Sequence, residues 1–288
     1  MDTNQLPYSA FAEFALAQYR PPIRRIGTYR KIEQAVKEFA EVCPTVASIE
    51  PTAIAKWLTR HQDRSMVTNF SVLRSFAAVC KLAAHMIAVS PFIARSPKRW
   101  FSEADYPDEP GERKFHSEAD VRRVLDLADA EAKTGTWHAR RLKAVVYSLV
   151  FLGARRNEVL GMRVADVELV DRLVHIRPND RRKLKTKSSK AILPMPPRLV
   201  EVLAWWVPQT DSEWLFPGAW RLGPWLDGGP KLRPTEQIKA LGERAGVPGF
   251  TPISIRHTFA TLAEGWGWGD AMIQRFLRHT TPFTQRGY

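Results

Sequence analysis

Apolar residues recur at helical spacing in four segments early in the chain, 8–19, 28–43, 52–60 and 68–88, so each is expected to bury one face against the others. This part reads as a small all-helical domain. The periodicity then fails in ARSPKRWFSEADYPDEPGERKF, whose three prolines, glycine and dense charge mark a connecting stretch at 96–114. Beyond it, Ser117 precedes Asp120 at the spacing of a capping box, ahead of the run VRRVLDLADAEA. A buried helix is expected over 140–152, leading through Gly153 into RRNEVLGMRVADV. The stretches 173–176 and 190–193 look like short strands around a basic turn, and helices follow at 198–206, 235–245, 254–264 and 270–279. The expected fold is mainly α with a small β-sheet, in two domains, 1–95 and 115–288, joined by that linker.

Composition adds a partner class. The chain has 288 residues, 44% of them hydrophobic and 25% charged, an ordinary globular balance. Its net charge of +13 favours polyanions, through phosphate contacts and counterion release. Fourteen basic against 11 acidic residues precede Pro110, and 29 against 19 follow, so the surplus is +3 and then +10. The later domain is where a phosphate is expected. Cys43 and Cys80 lie among apolar helical residues without CxxC spacing, which points to core packing rather than a disulfide framework or a zinc site. The start of the chain lacks a basic segment followed by an apolar run, and VVYSLVFLGA is too short to cross a bilayer. A cytoplasmic, nucleoid-associated location and no membrane partner are expected.

Four segments carry candidate chemistry. In GARRNEVL, Arg155 opens a helix with Glu158 three residues on; a guanidinium can hold two phosphate oxygens and stays charged throughout a reaction, although a plain Arg155–Glu158 salt bridge fits the same spacing. The basic turn KLKTKSSK is followed by AILP. It offers Lys185, or Lys187 by a shift of register, as a proton donor, against the plainer reading of a solvated charge run. In TPISIRHTFAT, Arg256 is the candidate, and the adjacent His257 points about 100° away on a helix. In MIQRFLRH, His279 ends a helix, where a cap is the commoner role, and Tyr288 lies nine positions further on.

In this order and wording the four segments resemble the tyrosine recombinase, or phage integrase, family: its G-x-R-x-x-E-L box, its β-hairpin lysine, its H-x-L-R-H-x-x-A-T box, and its L-G-H box followed by a tyrosine. The resemblance implies a helical core-binding domain of SAM-like type and a catalytic domain of the DNA breaking-rejoining fold, clamped around double-stranded DNA. It also implies a site made of Arg155, Lys185, Arg256, His279 and the nucleophile Tyr288, with no cofactor and no metal. A homotetramer on two DNA sites and an accessory directionality factor are the partners it suggests. Two departures stand out. Ile253 occupies the place of the family's first histidine, so reduced cleavage is expected, and Arg278 replaces a glycine. The family usually continues past the tyrosine into a short helix that docks on a neighbouring protomer, so a truncated reading frame, or a tetramer joined by other contacts, is expected. A type IB topoisomerase and a noncatalytic recombinase-derived DNA-binding protein are the alternatives.

Overall fold

The structure, a computed structural model, describes residues 6–24, 26–83, 115–181, 190–218, 223–225 and 233–278. Its chain divides into two compact units, 1–109 and 110–288. The stretch 96–114, expected to connect them, lies outside the described residues.

The first unit holds α1 (Tyr8–Tyr19), α2 (Ile26–Ala40), α3 (Pro51–Arg60) and α4 (Met66–Ala83). In α2 the buried positions are Ile32, Ala35, Val36 and Phe39, an i, i+3, i+4, i+7 stripe that makes one apolar face. Phe39 is the centre of this core. Its ring stacks on Phe76 with centroids 3.7 Å apart and on Trp57 at 5.3 Å, which joins α2, α3 and α4 through one side chain. The Tyr8 hydroxyl donates to the Val36 carbonyl at 2.9 Å, so its polar tip is satisfied where the ring is buried. Cys43 and Cys80 belong to the same core as free thiols, and burial pushes the Cys43 thiol up to about 11. Helix α2 ends at Ala40, short of the expected residue 43. Cys43 precedes Pro44, and the proline ring disfavours helical backbone in the residue before it.

The second unit begins with α5 (Glu118–Thr134), whose capping box forms as expected: Ser117 Oγ accepts from the Asp120 N–H, and the Asp120 carboxylate accepts from the Ser117 N–H at 3.0 Å. Helix α6 (Trp137–Leu152) starts from a Thr136 cap and is buried along most of its surface. It is the axis of the unit, packed on α5 and α8 (Pro197–Trp206). The short α7 (Arg156–Leu160) and a 3-10 turn (Val164–Asp166) lead to a three-stranded antiparallel sheet, β1 (Val167–Glu168), β2 (Leu173–Ile176) and β3 (Ala191–Pro194), in that order. Val174 pairs with Leu193, and both are buried in the core with Ile176. Then come α9 (Pro234–Arg244), α10 (Pro252–Gly265) and α11 (Asp270–Leu277). No described helix is long and apolar enough to cross a membrane.

Candidate active site

The turn after α6 is built on a glycine in the left-handed backbone region. Gly153 has φ +52°, and a Cβ there would lie 2.7 Å from the Phe259 ring and 2.9 Å from Leu277. Its left-handed backbone ends α6 and turns the chain so that Arg155 becomes the N-cap of α7. The Arg155 backbone N–H donates to Glu158 Oε2 at 2.9 Å, and its Nη1 donates to Glu158 Oε1 at 2.8 Å. The salt bridge foreseen as the plain alternative therefore exists. It does not bury Arg155, whose side chain is 26% exposed while that of Glu158 is 5% exposed.

Arg256 comes from the buried face of α10. Thr251 caps that helix and Pro252 occupies its first turn, where a missing N–H costs nothing. The Arg256 guanidinium crosses to two other segments: Nη1 donates to the Gly153 carbonyl at 2.7 Å, and Nη2 donates to the Leu277 carbonyl. One side chain thus fastens the turn that carries Arg155 to the end of α11. Two of the five guanidinium donors serve that purpose. On the same helix Ile253 is 71% exposed in the first turn, so its side chain packs into nothing that demands an isoleucine. On the other side, the buried His116 sits 3.1 Å from the Ser254 hydroxyl through Nε2, and its backbone N–H donates to Thr258 Oγ1 at 2.9 Å. His116 anchors the entry of the domain to α10, a role nothing in its sequence neighbourhood signals.

Arg278 follows α11 with φ 58°. Its Nη2 donates to Glu158 Oε2 at 2.7 Å, with both side chains almost wholly buried. Burial alone would raise the Glu158 carboxyl, but the charge of Arg278 and the Arg155 hydrogen bonds outweigh it and hold that carboxyl below its ordinary value. The Arg278 guanidinium is lowered, chiefly by desolvation, against the opposing pull of Glu158. Sequence reading gave Glu158 only a possible local partner and Arg278 no role.

Of the expected site residues, the structure brings the segments of Arg155 and Arg256 together. Lys185 and its alternative Lys187, His279 and Tyr288 lie outside the described residues. Among the described residues there is no cluster of metal-ligating side chains.

This largely helical domain with a small antiparallel sheet draws three arginines from segments far apart in sequence to the turn after α6, two of them buried and Arg155 alone partly exposed. Comparison with known proteins narrows its class. The model of the phage integrase family matches residues 114–288, and the chain belongs to that family. It is similar to tyrosine recombinase XerC of Pseudomonas fluorescens, 28% identical over 185 residues that cover 62% of this chain and 57% of that protein, and to XerC of Pseudomonas syringae pv. tomato to the same extent. The matched part thus spans little more than half the length of these relatives. Among solved structures, the Tn1549 transposon integrase in complex with a circular intermediate DNA has a TM-score of 0.73 at 16% identity, covering 99% of this chain and 95% of that one. A lambda integrase dimer bound to a COC' core site has a TM-score of 0.71 at 14% identity, covering 99% and 77%. At these identities the likeness is one of fold.

Proposed function

We propose that the chain is a site-specific DNA recombinase that cleaves and rejoins double-stranded DNA through a 3′-phosphotyrosyl intermediate. The observation that carries this reading is the Arg256 guanidinium, which ties the turn bearing Arg155 to the end of α11, two residues before His279 in the stretch that leads to Tyr288. In the proposed reaction the Tyr288 phenolic oxygen gives up its proton to solvent and attacks the scissile phosphorus, the bond to the 5′ oxygen breaks, and Lys185 donates the proton which that oxygen takes up and is reprotonated from solvent. Arg155 and Arg256 hold the nonbridging oxygens, where negative charge builds in the pentacoordinate transition state, and His279 adds a hydrogen bond. The phosphodiester energy is conserved in the tyrosyl ester, so rejoining is the reverse reaction by a 5′ hydroxyl. The XerC relatives are tyrosine recombinases by name, and the integrase structures hold DNA. The proposed assembly, which rests on the family resemblance of the four sequence segments, is four protomers on two DNA sites in the cytoplasm, with a directionality factor as a further partner.

The test is a nicked suicide duplex carrying the attachment site, incubated with the protein and read on a denaturing gel. A covalent protein–DNA band that disappears in Tyr288→Phe is the expected result. Retained DNA binding without a covalent band defeats the proposal and leaves the noncatalytic DNA-binding reading, which the exposed Ile253 favours. Relaxation of supercoils without a Holliday-junction product would instead indicate a topoisomerase.

A further inference from the structure

Arg278 occupies a left-handed backbone conformation, φ 58°, that side chains other than glycine rarely adopt. Its own side chain is only 2% exposed, so it is shut off from any phosphate that approaches through solvent. What it meets is Glu158, at 2.7 Å, and the Phe276 carbonyl, also at 2.7 Å. Glu158 in turn holds Arg155 by backbone and side chain. A carboxylate that close competes with a phosphate for the Arg155 guanidinium. Arg155 and Glu158 as a pair carry no net charge, whereas the trio with Arg278 carries one positive charge.

We infer that Arg278 is a positioning residue for strand cleavage: by neutralising Glu158 it lets that carboxylate orient Arg155 while leaving the Arg155 charge to act on the scissile phosphate. The inference rests on the recombinase reading above and gives Arg278 no contact with DNA. Its effect passes through Glu158. Loss of Arg278 therefore slows the chemical step, where charge accumulates on the phosphate, more than it weakens DNA binding, which draws on many cations.

The experiment measures single-turnover covalent adduct formation on the suicide duplex, with DNA affinity followed in parallel, for the wild-type chain, Arg278→Gly, Arg278→Lys, Glu158→Gln and the double variant Arg278→Gly with Glu158→Gln. Glycine suits the backbone at 278, so the substitution removes the charge without adding strain. Arg278→Gly should cleave roughly 10- to 100-fold more slowly at unchanged affinity. Arg278→Lys should recover most of the rate, and the double variant should cleave like Glu158→Gln alone, since Arg278 has nothing left to neutralise. A duplex with an uncharged methylphosphonate at the scissile position should close the gap between Arg278→Gly and wild type. A glycine variant that cleaves like wild type, or one whose defect persists on the methylphosphonate, overturns the inference while the recombinase reading stands. If Arg278→Gly does not fold, the double variant against Glu158→Gln decides, and a further loss of rate in the double variant overturns it. A wild-type chain that forms no adduct removes both.

Discussion

Gly153 faces two separate demands, and replacing it with alanine measures their sum. At φ +52° an alanine Cβ crowds the backbone, at a cost of about 1–2 kcal/mol. The same Cβ would sit 2.7 and 2.8 Å from two atoms of the Phe259 ring and 2.9 Å from Leu277. These are packed side chains in a core, not free ends, so the overpacking adds about 1–3 kcal/mol. The total is roughly 2–5 kcal/mol, which for a domain of this size lowers the melting temperature by about 4–20 °C. Gly246 provides the control. It also has positive φ, +70°, but a Cβ there meets nothing within 4 Å, so Gly246→Ala bears the backbone cost alone. Thermal unfolding followed by circular dichroism on both variants separates the two contributions. If Gly153→Ala melts no lower than Gly246→Ala, the close approach of Phe259 and Leu277 is not what reserves position 153 for glycine.

Glu158→Gln leaves the Arg278 guanidinium buried without its counter-charge, and breaking such a pair costs about 3–5 kcal/mol. Because the folded carboxyl lies below the ordinary value of 4.5, its contribution is complete above that pH and is lost as pH falls through the depressed folded value. Denaturant titrations should show wild type and variant far apart at pH 7 and converging in strong acid; a gap independent of pH would refute the charge pairing. Ile253→His places a donor at the exposed first turn of α10, where no packing opposes it. The expected result is a faster covalent step, by up to about a hundredfold; an unchanged adduct rate would mean that another group already serves there.

The helices were legible because each has to bury a stripe, and the stripe is written locally: Ile32, Ala35, Val36 and Phe39 in α2 announce their common face. The cap of α5 was equally local, three residues from Ser117 to Asp120. Strand β1 was not foreseen, since two residues cannot display an alternation, and it exists only through its pairing with β2. The site divides the same way. Arg155 and Arg256 stand out by the wording of their own segments, but the bond from Arg256 to Gly153 spans 103 positions and that from Arg278 to Glu158 spans 120. No local pattern encodes such a partnership. Arg278 shows the difference well: in sequence it is a departure from a motif, and in the fold it shares a carboxylate with Arg155.

The bonds from Arg256 to the Gly153 and Leu277 carbonyls also bear on how copies of such a gene would decay. A copy that had lost all capacity to cut DNA, yet survived because it still bound it, would remain under pressure to keep this arginine, since its two bonds help hold the turn to the helix end. Retention of Arg256 in a drifting lineage is thus testimony to a folded protein before it is testimony to an active one.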